Sequence, residues 1–125
     1  MTTSFGLLGA HISAEPITAP DIATAETGAV VLFDGIVRNH DSGRGVKLLT
    51  YTAHPSAQQE IERVAGEVAA AFPAVRLWCA HRTGALEIGE SAFIVAAASA
   101  HRKDAFEAAS TCADRVKAEV PIWKE

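Results

Sequence analysis

Cysteine, methionine and aromatic side chains are scarce in this chain. Its 125 residues include two cysteines, one methionine and one tyrosine, and aromatics make up 6%. Cys79 and Cys112 lie far apart inside apolar segments and lack CxxC spacing, which argues for two reduced, buried thiols rather than a disulfide framework. The five histidines, at 11, 40, 54, 81 and 101, show no HxxxH or HxH spacing, and no metal or cofactor is expected. No run approaches the roughly 18 apolar residues of a membrane span. The opening MTTSFGLLGAHISAEP also lacks a basic start followed by a long apolar core, so the expectation is a cytoplasmic protein without membrane contact. The net charge of −4 excludes a generally basic face for nucleic acid, so any anion site must be local. There is no internal repeat, linker or low-complexity stretch, and residues 1–125 read as one domain. What is present in quantity is apolar residue, at 49%, enough for a core without staples.

The pattern along the chain predicts alternating sheet and helix. Residues 5–13 read as a strand interrupted by glycine. Thr18, Pro20 and Asp21 carry helix-start signals, which predicts a short helix to about Ala25. Residues 29–37 are β-branched and aromatic, with Gly35 hinting at a bulge. A polar loop follows at 38–45, then a strand at 46–53, and the pair reads as a hairpin. Ser56 and Gln59 resemble a capping box opening an amphipathic helix over 56–72, which Pro73 ends. Residues 75–82 and 92–99 read as strands, with a turn region around Leu86 between them. A last helix runs over 103–118 with Ala105, Phe106, Ala109, Cys112, Ala113 and Val116 as its apolar stripe, and Pro121 stops it. The order β-α-β-β-α-β-β-α predicts an α+β fold with helices on one face of a largely antiparallel sheet.

Candidate chemistry gathers at the two ends of the last helix. His101 and Arg102 fall at a strand-to-helix transition, where free N–H groups and the positive helix end favour an anion. Arg adds a bidentate fork and His a donor or proton carrier. A solvated helix start is the plain alternative. Lys117, one turn from the helix end, reads equally well as a surface lysine favoured by the dipole. Lys124, flanked by Trp123 and Ile122, could act as acid, base or nucleophile if its pKa is lowered. Arg38 ends a buried strand, with a loop ion pair to Asp41 as its alternative. His81 and Arg82 read as structural or interfacial. Fifteen residues separate Arg102 from Lys117, about 22 Å of helix. One small ligand does not span that distance within one chain, but a two-fold dimer could bring one copy's His101 and Arg102 near the other's Lys117.

Four stretches in register carry a resemblance. They are Phe33-x-Gly35-x-Val37-Arg38-Asn39-His40, His81-Arg82-x-Gly84-x-Leu86, Ser99-Ala100-His101-Arg102-x-x-Ala105-Phe106-Glu107-Ala108, and Lys117-x-x-x-Pro121-Ile122-Trp123-Lys124. From about residue 28 onward the chain closely resembles the large, catalytic subunit family of molybdopterin synthase. The resemblance implies an α/β hammerhead-type fold and a homodimer at the centre of a heterotetramer. It also implies a partner, a small ubiquitin-like sulfur-carrier subunit whose C-terminal Gly-Gly thiocarboxylate delivers sulfur. The implied reaction converts cyclic pyranopterin monophosphate to molybdopterin by two sulfur transfers. The implied substrate contacts are Ile36, Val37, Arg38, His101, Arg102, Lys117 and Lys124, with Lys117 and Lys124 catalytic. Arg38, His101 and Arg102 would suit the phosphate, and the lysines the reacting end. Ile36 stands where a polar contact is more usual, which implies a backbone role. Family members continue past Lys124, and Glu125 stands where another basic residue is often found, which implies a shortened tail. Two other readings are a catalytically silent carrier-binding homologue and a phosphate-ligand binding module.

Overall fold

The computed structural model describes residues 5–38 and 48–125. Seven strands and two helices follow in the order β1 (Gly6–Ser13), β2 (Ala29–Ile36), β3 (Leu48–Ala53), α1 (Ala57–Ala71), β4 (Arg76–Arg82), β5 (Gly84–Glu87), β6 (Ser91–Ser99), α2 (Arg102–Glu119) and β7 (Ile122–Lys124). One sheet has the order β1-β4-β6-β2, and a smaller one the order β5-β3-β7. Among the described residues only β1 and β4 run parallel; the other pairings are antiparallel. The α+β reading, helices against a largely antiparallel sheet, describes this arrangement.

β6 is the axis of the larger sheet. Its alternation sends Phe93, Val95 and Ala97 into the cluster packed under both helices, while Ala96 and Ala98 face the other side. Small side chains let α2 lie close, and α2 answers with Ala105, Ala108, Ala109, Cys112 and Val116. Phe106, expected in that stripe, is instead 58% exposed, and Ala108 takes the inward position. α1 buries Ala57, Ile61, Val64, Ala65, Val68 and Ala69, the i, i+4, i+7 stripe of an amphipathic helix. The two free thiols meet across this core: Cys79 on β4 is within hydrogen-bond reach of Cys112 on α2, and that contact together with burial pushes the Cys79 thiol far up.

Several expectations are corrected. There is no helix at 18–25. Asp21 Oδ1 instead accepts from the Ala23 N–H at 3.1 Å, and the Thr27 hydroxyl accepts from the Thr24 N–H and donates to the Thr24 carbonyl. Such local bonds compete with helix formation. They leave the segment without regular structure, with Ile22 buried against Ala96 and Ala98 on the face the helices leave open. The capping box is not formed either. Ser56 is itself in the helical region, and its Oγ lies 2.8 Å from His54 Nδ1. The hairpin expected between β2 and β3 does not exist, because β2 pairs with β6 and β3 belongs to the other sheet. The turn region around Leu86 contains β5, and the tail after Pro121 forms β7 on β3. The bulge expected near Gly35 is present: Gly35 pairs with Phe93 but Ile36 with Ser91. Most of the 38–45 loop lies outside the described residues, as does Asp41.

Candidate functional site

A cavity of about 270 Å³ opens where the end of β2, the smaller sheet and the last turn of α2 converge. Each wall has a sequence reason. Val37 is buried, donates to the Glu90 carbonyl at 2.9 Å and accepts from the Gly89 N–H at 2.8 Å, so the next residue, Arg38, is held at the rim. Val116 packs in the core, which fixes its neighbour Lys117 on the cavity side of α2. Pro121 ends the helix path and lets Ile122–Lys124 pair with β3, where Lys124 stands opposite Tyr51. The Glu125 N–H then donates to the Thr50 carbonyl at 2.8 Å.

Arg38, Lys117 and Lys124 therefore share one cavity, and no carboxylate lines it among the described residues. This is a local cationic site on an acidic protein. Ile36 and Val37 also line it, Ile36 half exposed and Val37 buried. His101 and Arg102 do not join them within one chain. They border a separate, shallower concavity at the start of α2 with Gly28, Ala29, Lys103 and Phe106. Gly28 allows the chain to pass close there, since a Cβ on it would fall 2.5 Å from the Ala100 carbonyl oxygen. The α2 helix runs between the two places. No group of three or more His, Cys, Asp or Glu able to hold a metal exists among the described residues, and no helix is long and apolar enough to cross a membrane.

Sequence reasoning missed three members of the cavity: His81, Tyr51 and Phe93. The signal lay in strand parity. Leu77, Cys79 and His81 alternate onto one face of β4, and the first two are core residues under the helices. His81 therefore emerges on that face at the strand's end. There it stacks on Phe93, centroids 5.3 Å apart and planes at 26°, and meets Tyr51 edge-on at 5.1 Å and 71°. Burial lowers the His81 pKa, a hydrogen bond to the Arg82 carbonyl opposes this, and the Lys117 charge adds to the lowering. Burial alone raises the Tyr51 phenol. Arg82, by contrast, turns into an ion pair with Glu90 at 2.9 Å.

The family model described as MoaE protein matches residues 10–119. The chain belongs to the MoaE family. Among its relatives, molybdopterin synthase catalytic subunit 1 of Mycobacterium tuberculosis is 36% identical over 120 residues, covering 92% of this chain and 82% of that one. The solved molybdopterin synthase of Staphylococcus aureus superposes with a TM-score of 0.83 at 33% identity, over 99% of this chain and 90% of that one. A Helicobacter pylori complex of subunits 1 and 2 of molybdopterin-converting factor matches with a TM-score of 0.65 at 28% identity, over 79% of this chain and 65% of that one. The helix-on-sheet fold is thus the MoaE fold, and the relatives' names give MoaE proteins a catalytic part in making molybdopterin.

Proposed function

We propose that residues 1–125 act as one large-subunit domain of a cytoplasmic molybdopterin synthase, a sulfurtransferase that converts cyclic pyranopterin monophosphate to molybdopterin. Small sulfur-carrier subunits supply the two sulfurs, one from each C-terminal thiocarboxylate, in keeping with the two-subunit complex of the Helicobacter pylori relative. The observation that carries the reading is the convergence of Arg38, Lys117 and Lys124 on a cavity free of carboxylates. A carrier tail ending in an anionic thiocarboxylate is drawn to such a cavity. The guanidinium of Arg38 suits a phosphate oxygen pair, and the ammonium groups suit the oxyanion that forms as the acyl–sulfur bond breaks. A lysine can also give a proton as the cyclic phosphate opens. His101 and Arg102 enter from a second copy of the chain, since α2 holds them away from their own lysines.

The test is a reconstituted assay with thiocarboxylated carrier. Lys117→Ala and Lys124→Ala each lower product formation by about 10²-fold or more, the scale of losing one oxyanion donor, while sedimentation shows the same assembly as wild type. Near-normal turnover would remove the lysines from the reaction. Carrier binding by wild type without any turnover would replace the enzyme with a silent carrier-binding homologue.

A further inference from the structure

The reading above employs the cations of the cavity and leaves its imidazole without a task. His81 is 8% exposed, in a wall shared with Lys117 and Lys124. Phe93 and Tyr51 fix its ring plane. Its Nδ1 lies 2.8 Å from the Arg82 carbonyl oxygen. A carbonyl only accepts, so Nδ1 carries the proton, and the neutral ring keeps its lone pair on Nε2. The ring's hydrogen bond runs through Nδ1, which leaves Nε2 as the nitrogen for the cavity.

We propose that His81 is the proton acceptor of this site: its Nε2 takes the proton of the water that cleaves the acyl–sulfur bond between carrier and pterin. This rests on the sulfur-transfer reading. An O–H bond of water breaks as its proton passes to Nε2, and the oxygen bonds to the thioester carbonyl carbon. The carbonyl pair moves onto oxygen, beside the lysine ammonium groups. Collapse restores the C=O and breaks the C–S bond, with the electron pair leaving on sulfur, which stays with the pterin. The imidazolium returns its proton to that thiolate, and the carrier's new carboxylic acid releases its own to solvent. No oxidant or reductant is needed.

The other groups of the cavity do not fill this role. Lysine ammonium and arginine guanidinium groups have no lone pair to offer at neutral pH. Facing His81 are Tyr51 from β3 and Lys117 from α2, with Arg38 and Lys124 on the remaining walls and the Arg82–Glu90 pair next along β4. With no carboxylate lining the cavity among the described residues, an imidazolium gains no partner there. Burial first and the Lys117 charge second favour the neutral ring. Such a ring is ready to accept at neutral pH and quick to give the proton back.

Two measurements test this. An NMR titration of the wild-type protein is expected to show the Nδ1–H tautomer of His81 titrating below the ordinary 6.5, and Lys117→Met is expected to raise that value. Titration at or above 6.5, or an Nε2–H tautomer, overturns the proposal. In single-turnover sulfur transfer, His81→Asn can keep a donor for the Arg82 carbonyl but has no base. It is expected to lose about 10² to 10⁴ in rate, to accumulate a carrier–pterin thioester by mass spectrometry, and to bind carrier as wild type does. The wild-type decline in rate at acid pH disappears in this variant. A rate within about threefold of wild type, or a loss matched by lost carrier binding, overturns it. Wild-type protein that transfers no sulfur at all defeats the underlying reading and this one together, whereas wild-type turnover with an undiminished His81→Asn defeats this one alone.

Discussion

Arg82 is 8% exposed and paired: Nη1 donates to Glu90 at 2.9 Å and Nη2 to the Ala14 carbonyl at 3.3 Å. Its Nε has no partner among the described residues. Glu90→Ala would strand this guanidinium and is expected to cost about 1–3 kcal/mol, read as a lower urea midpoint at unchanged m-value. The cations of the cavity are in the opposite condition. Arg38, Lys117 and Lys124 are exposed and form no ion pair among the described residues, which leaves them free for an incoming anion. The difference between His81 and Arg82, adjacent in the chain, was not legible in residue type. Both read as structural or interfacial, and Arg82 pairs with Glu90 within the chain. Only strand parity, counted from the buried Leu77 and Cys79, puts the imidazole on the helix side while its neighbour turns to Glu90. Lys117 was ambiguous in the sequence for the same reason: a lysine near a helix end looks the same whether it faces solvent or a cleft.

At the scale of elements, α1 and α2 are fastened on their outer sides by a cluster of opposite charges. Arg115 bonds Glu67 at 2.6 Å and Glu119 at 2.7 Å, and Arg63 reaches Glu60, Glu67 and Glu119. The Arg115 guanidinium holds the Glu119 carboxyl down to about 2, against an ordinary 4.5. A carboxyl depressed in the folded state contributes stability above its unfolded pKa and loses it as pH falls through the folded one. The melting temperature is therefore expected to drop as pH goes from about 4.5 to about 2. The drop should be shallower in Glu119→Gln and at high salt, measured by calorimetry. Both helices and the longer strands were legible, since their apolar periods run for six residues or more. β5 and β7 were not: strands of four and three residues carry no period to read. The β2–β3 hairpin was inferred from nearness in sequence, whereas partner choice is settled across the sheet, where β6 offers β2 an eight-residue ladder. The segment at 18–25 carried helix-start signals that its own hydroxyl and carboxylate bonds override.

For the whole molecule, the proposed function joins His101 and Arg102 of one copy to Lys117 and Lys124 of another, because α2 separates the two pairs within one chain. This has a direct test. Arg102→Ala and Lys117→Ala are each expected to be inactive alone. After mixing and subunit exchange, half the dimers pair one variant with the other, and each of these has one intact site of two, so activity returns to about a quarter of wild type. No recovery, with exchange verified by mass, would place all the working groups within single chains. The bulge beside Gly35 carries a consequence of its own. Because β6 holds one more residue than β2 at that point, the ladder beyond it is offset by one, and the Val37 backbone meets Glu90 and Gly89 rather than the next residue of an even ladder. Length at that spot therefore carries as much information as identity. Anyone transplanting this pocket onto an evenly paired scaffold could copy every side chain and still leave the guanidinium one ladder step out of place.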